Sequence, residues 1–154
     1  MKTPISYYGG KQSLSSLIVG LISGHRIYCE PFFGGGAVFF AKSPSEVEVI
    51  NDTNRELINF YEVVRDSFPD LEHEISLSLH SHDMHRQAEV VYTNPDMFGR
   101  MKRAWAVWML ANCSYGCKLD GCRLRQDRRN EQEDGQQAQV VHGGVCKEAE
   151  PRPD

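Results

Sequence analysis

The chain has no surplus of positive charge: 17 Lys and Arg stand against 21 Asp and Glu, for a formal net charge of −4. This excludes a protein that coats nucleic acid by bulk charge. A local basic face stays compatible with DNA contact, because only phosphate-facing Lys and Arg matter there. No apolar run approaches the roughly 18 residues that would suggest a membrane-spanning helix. Met1-Lys2-Thr3-Pro4 leads into no apolar segment with a small-residue cleavage site, so no signal peptide is read. Cysteine is sparse and irregular: Cys29, Cys113, Cys117, Cys122 and Cys146 form an odd set without a framework. That pattern predicts a reduced, cytoplasmic protein. The spacing Cys113-x3-Cys117-x4-Cys122 lacks the second pair or the His-x3-His that would complete a zinc set, so no metal is expected. His80, His82 and His85 lie among Ser and Asp and read as a solvated turn.

What is present is an ordinary globular balance. The 154 residues are 40% hydrophobic and 25% charged, enough for one domain with its own core. Residues 12–23 predict an amphipathic helix, with Leu14, Leu17, Ile18, Leu21 and Ile22 on one face and Ser23-Gly24 as its stop. Residues 26–29 predict a short strand ending at Glu30-Pro31, followed by a turn over Phe32-Phe33-Gly34-Gly35-Gly36 and a helix starting at Ala37. Residues 47–50 predict a second strand that runs into Asn51-Asp52. Thr53-x-x-Glu56 reads as a capping box for a helix with Leu57, Ile58, Tyr61 and Val64 on one side. Residues 26–66 therefore spell a β-α-β unit. Residues 70–79 predict a helix placing Leu71, Ile75 and Leu79 together, and residues 96–112 a longer one bearing Met97, Met101, Trp105 and Trp108, with the two tryptophans as core. From Cys122 onward the apolar pattern stops, and composition predicts a disordered tail over 122–154.

The chemistry concentrates in three places. Glycines directly after a strand let the backbone approach a bound cofactor without Cβ clashes, and Gly34-Gly35-Gly36 stand there. No Gly-Lys-Ser/Thr follows, which excludes a P-loop. The same glycines also suit a plain strand-to-helix turn. Asp52 ends the second strand, where a nucleoside-binding α/β unit places an acid for ribose hydroxyls; a turn or capping role is the alternative. Tyr7-Tyr8-Gly9-Gly10-Lys11 sets two glycines beside a lysine just before a helix, a set able to hold a carboxylate.

These blocks, together with Glu30-Pro31-Phe32-Phe33-Gly34-Gly35-Gly36-Ala37-Val38-Phe39-Phe40 and Asn51-Asp52 with Asn54 and Glu56-Leu57-Ile58, resemble the DNA adenine methylase (Dam-like) family over residues 2–121. The resemblance implies an α/β fold of the Rossmann-like S-adenosylmethionine-dependent methyltransferase kind, here with a partial sheet. It implies methyl transfer from S-adenosylmethionine to adenine N6 of double-stranded DNA by base flipping, without a metal and as a monomer. By position it assigns Tyr7 and Lys11 to the methionine end of the cofactor, Glu30, Phe32, Gly34 and Gly36 to the glycine motif, and Asp52 to the ribose. The family often has Trp where Tyr7 stands. Asn112, Ser114, Tyr115, Gly116 and Lys118 resemble the entry to the family's target-recognition region, which makes Asn112, Tyr115 and Lys118 candidates for DNA contact.

One departure is large. The family's catalytic Asp-Pro-Pro-Tyr is absent from these residues, so no catalytic residue is assigned and the polypeptide alone is expected to be inactive. The domain reading is a truncated cofactor-binding domain over 1–121 and a tail over 122–154. The tail reads as a frameshift product: the degenerate codons of Val141 to Glu150, read one base later, permit Phe-Thr-Glu-Glu-Tyr-Ala-Lys-Arg-Leu-Ser, an amphipathic helix. The rival readings are a non-catalytic fragment that binds cofactor or DNA, and a nicotinamide-dependent oxidoreductase using the same glycine turn and acid.

Overall fold

In the computed structural model of the chain, the described residues are 3–114, Leu119 and the backbone of 139–140. Their elements run α1 (Ser15–Leu21), β1 (Ile27–Glu30), α2 (Ala37–Ala41), β2 (Val47–Ile50), α3 (Arg55–Asp66), α4 (Phe68–Ser76), β3 (Leu79–His80), α5 (His82–Thr93), a 3-10 turn (Pro95–Met97), α6 (Arg100–Cys113) and β4 (Gln139–Val140). The expected β-α-β unit is present. β1 and β2 pair in parallel, Ile27 opposite Val47 and Glu30 opposite Ile50, with α2 as the crossover.

The core is mostly helical. α6 is buried along most of its length, from Ala104 to Ala111, against α3 and α5, and Trp105 and Trp108 lie inside as expected. Leu57, Phe60, Val63, Leu71, Ala88 and Val91 close the core from α3, α4 and α5. Arg103 on α6 grips Glu56 on α3 with two hydrogen bonds of 2.7 Å, satisfying both half-hidden charges.

The small sheet sits at the margin of this core. One face sets Tyr28 and Glu48 against Phe39 and Lys42. The other exposes Ile27, Cys29, Val47 and Val49 to solvent.

The Lys42 ammonium is nearly enclosed, 2.6 Å from Glu48 Oε1, and the Ser45 N–H donates to the same oxygen. Burial pushes the Glu48 carboxyl up, but these hydrogen bonds and the Lys42 charge outweigh it and leave its pKa below the ordinary value. A depressed folded-state pKa contributes stability that is fully present above the unfolded value and lost as pH falls through the folded one. Urea unfolding followed from neutral pH down through the carboxylate range should therefore show falling stability. Glu48→Gln should remove part of that slope and lower stability at neutral pH, because Lys42 loses its counter-charge. An identical pH slope in parent and variant would contradict this assignment.

Several expectations need correction. The helix expected over 12–23 spans only Ser15–Leu21 and fully buries none of its residues; α2 packs on it and leaves Ile18 and Ile22 partly covered, but Leu14, Leu17 and Leu21 are exposed. Asn54, not Thr53, caps α3: its side-chain oxygen accepts from the N–H of Glu56 and Leu57. Leu79 leaves the expected helix, which ends at Ser76, and enters β3. Met97 is exposed in the 3-10 turn, because α6 starts only after Gly99. The histidine cluster is no solvated turn. Ser81 caps α5 by accepting from the Met84 N–H, and His85 is buried with Nε2 2.8 Å from Ser114 Oγ. Burial lowers the pKa of both His80 and His85. Within the segment read as a tail, residues 139–140 form β4, antiparallel to β3 with Leu79 opposite Val140; residues 120–138 and 141–154 lie outside the described residues.

Candidate cofactor site

The two parallel strands deliver their C-terminal ends side by side, the position at which open α/β sheets hold ligands. The loops beyond them are zipped together: Phe33 N–H donates to Asn51 O and Asn51 N–H to Glu30 O, each at 3.0 Å. The glycine turn after β1 and the acid after β2 thus form one unit. Asp52 Oδ2 accepts from the Gly34 N–H at 2.9 Å, and Oδ1 accepts from the Asn54 N–H at 2.9 Å. A carboxylate offers about four lone-pair sites, so capacity remains for hydroxyl donors.

Gly34 and Gly36 both adopt positive φ, 54° and 68°, a region costly for side-chain-bearing residues. Their surroundings differ. A Cβ on Gly36 would stand 2.7 Å from Phe33 Cζ and 2.8 Å from Phe40 Cε2, so aromatic packing beneath the turn already demands glycine there. A Cβ on Gly34 would meet the Tyr7 ring at 3.3 Å.

The N-terminal arm folds onto this turn. Ile5 anchors it in the core, and the Tyr7 side chain lies against Gly34 and Gly35. Lys11 Nζ lies 3.6 Å from Glu30 Oε1 and donates to Phe32 O at 3.4 Å. Glu30 is almost buried and its second oxygen accepts from the Tyr28 hydroxyl at 3.1 Å. Burial and the Glu30 charge push the Tyr28 pKa up to about 12. Tyr61 donates from α3 to Gly34 O at 3.3 Å; burial, then the Asp52 and Glu30 charges, raise its pKa, keeping it a neutral donor. Tyr8 and Phe32 present exposed rings at the rim.

Tyr7, Lys11, Glu30, Phe32, Gly34 and Asp52 therefore meet around one turn, with Gly36 beneath it. The cluster combines an ammonium, two carboxylates, backbone groups and exposed aromatics. Such a cluster offers a ligand a cation, hydrogen-bond acceptors and apolar ring surface. Asn112 stands apart on α6, its amide donating to Trp108 O at 2.9 Å on its own helix. Tyr115 and Lys118 lie outside the described residues. Asn54, Tyr61 and Tyr92 had no assigned part in the site. An Asp-x-Asn directly before a helix was the available signal for Asn54; the tyrosines carry none beyond helical spacing.

Two grooves lie elsewhere among the described residues. One of about 620 Å³ runs along α3 and α4 over Phe60, Val64 and Trp108, and one of about 450 Å³ lies between α5 and α6 beside Arg86 and Lys102. Neither includes the residues gathered at the turn. Among the described residues no group of three or more His, Cys, Asp or Glu is placed to hold a metal, and no helix is long and apolar enough to cross a membrane.

Comparison with known proteins supplies a family. A Type II methyltransferase, M1.LlaDCHI of Lactococcus lactis subsp. cremoris, is 34% identical over 113 residues, 73% of this chain and 39% of the relative. The chain thus spans well under half the length of that relative. The profile of D12 class N6 adenine-specific DNA methyltransferases matches residues 7–124, which takes in the arm, the glycine turn, Asp52 and all of α3 to α6. The chain belongs to the D12 class N6 adenine-specific DNA methyltransferase family.

Proposed function

We propose that this chain is the S-adenosylmethionine-binding part of a site-specific DNA adenine-N6 methyltransferase. Its β-α-β unit is the opening of a Rossmann-like sheet, with the cofactor-binding domain over residues 1–121 and a tail over 122–154 whose residues 139–140 pair with β3. The observation that carries the reading is the Asp52–Gly34 bond, which joins acid and glycine turn at the ends of two parallel strands. The residues present fit the cofactor. Asp52 accepts from the ribose hydroxyls, Lys11 meets the methionine carboxylate, Glu30 faces the ammonium group, and Tyr7 and Phe32 flank the apolar parts. S-adenosylmethionine supplies an electrophilic methyl group on its sulfonium. The chain's own residues bind and orient, and no described residue is assigned to activate adenine. The partner is double-stranded DNA, contacted through the region that begins at Asn112 and includes Tyr115 and Lys118. The protein acts as a monomer in the cytoplasm.

The polypeptide of these 154 residues is expected to bind the cofactor without turning it over. It contains no Asp-Pro-Pro-Tyr, and losing positioning and electrostatics together removes several kcal/mol of barrier lowering from each source. The test supplies methyl-labelled S-adenosylmethionine and adenine-containing duplex DNA to the purified chain. Label retained by the protein and absent from DNA is the expected result. Labelled DNA above a heat-killed control would show that a catalytic group is present after all, and no retained label would remove the cofactor reading.

A further inference from the structure

We infer that Tyr92 is a positioning residue for the ribose acid, acting through Asn54. The inference rests on the cofactor reading above and adds to it a residue from a helix outside the β-α-β unit. The Tyr92 hydroxyl on α5 accepts from Asn54 Nδ2 at 3.0 Å, across 38 residues of sequence. Asn54 has its other end committed: its oxygen accepts from the N–H of Glu56 at 3.1 Å and of Leu57 at 3.4 Å, capping α3. The amide is therefore held at both ends, and its orientation is set. The backbone N–H of the same residue donates to Asp52 Oδ1, while Gly34 N–H donates to Oδ2. Both carboxylate oxygens are thus aimed by backbone donors, and one of those donors belongs to the residue that Tyr92 clamps.

Helix capping alone needs only the Asn54 oxygen. The bond from Nδ2 to Tyr92 goes beyond the cap's need: it fixes the tilt of Asn54 and ties it to α5. α5 is in turn pinned at His85, whose Nε2 lies 2.8 Å from Ser114 Oγ at the end of α6. The acid is thus set by the placement of α5 as well as by its own strand. A helix far along the chain thereby enters the geometry of the cofactor site.

Tyr92→Phe keeps the ring and removes the hydroxyl. One neutral hydrogen bond is worth about 0.5–1.5 kcal/mol net, so S-adenosylmethionine affinity should fall about twofold to tenfold. Amide hydrogen exchange in the protein without ligand should accelerate at Asn54 and Gly34, the two donors to Asp52, and stay unchanged in the middle of α6. Added to Asp52→Ala, the substitution should weaken binding no further, because the group it positions is gone. A merely structural tyrosine would lower the unfolding midpoint while leaving the dissociation constant and these two amides unmoved. Unchanged exchange at Asn54 and Gly34, or an undiminished loss of affinity in the Asp52→Ala background, would overturn the inference. A parent protein that fails to bind S-adenosylmethionine would instead defeat the cofactor reading, and the two amides would still decide whether Tyr92 positions Asp52.

Discussion

Trp105→Ala is expected to lower the unfolding free energy by about 3–5 kcal/mol, the usual range for truncating a buried large aromatic. Trp105 is 0% exposed and sits on α6, where α3 and α5 pack. Its indole N–H donates to the buried Ser78 hydroxyl at 2.6 Å, and Lys102 Nζ lies 3.9 Å over its ring. Alanine would leave a cavity in this packing, strip Ser78 of its donor and release the lysine. Domains of this size are stable by about 5–15 kcal/mol in all, so the variant should stand near the edge of folding. Trp105→Phe, which keeps much of the volume and loses the donor, should fall between the two. Denaturant midpoints measure the series. A change within about 0.5 kcal/mol, as for a surface substitution, would mean that the helical core described here is wrong.

Asp52→Ala is expected to weaken S-adenosylmethionine binding about tenfold to a hundredfold. A hydrogen bond to a charged group is worth about 1.5–3 kcal/mol, and each 1.4 kcal/mol is a factor of ten in affinity. The carboxylate also gathers the N–H groups of Gly34 and Asn54, so alanine removes both the acceptor for the ribose and the tie between the two loops. Asp52→Asn separates these roles: one side-chain oxygen stays as an acceptor, the charge is lost, and the shape is kept. Its affinity should lie between those of the parent and the alanine variant. The unfolding midpoint of each variant shows whether the fold survives. Calorimetry giving the parent affinity for a folded Asp52→Ala would show that the ribose assignment is wrong.

How much of this was legible in the sequence depends on how local the signal is. The β-α-β unit was readable because Val47-Glu48-Val49-Ile50 and the glycine turn are short, contiguous signals. Trp105 and Trp108 announced the core by helical spacing. The α3 cap was misplaced by one residue because Thr53 and Asn54 are both good caps, and it is the Asn54 oxygen that takes the N–H of Glu56 and Leu57. α5 did carry a period, since Met84, Ala88, Val91 and Tyr92 stand at helical spacing and face the core, but its polar opening turn of His82, Asp83 and His85 masked it. The helix expected from Leu14, Leu17, Ile18, Leu21 and Ile22 has the apolar face that periodicity promises, but periodicity says nothing of what covers it: α1 packs on α2 and partly covers Ile18 and Ile22, while Leu14, Leu17 and Leu21 stay exposed. The Tyr92–Asn54 bond joins residues 38 apart, and no local pattern encodes such a pair.

The most direct test of the central claim is a calorimetric titration of the purified protein with S-adenosylmethionine and, separately, with NAD. Both ligands offer a ribose to Asp52 and the glycine turn, but only S-adenosylmethionine carries the amino acid end that the proposal assigns to Lys11, Glu30 and Tyr7. The account predicts saturable binding of S-adenosylmethionine at one site and none of NAD. Binding of NAD in preference to S-adenosylmethionine, or of neither by a protein shown to be folded, would contradict it.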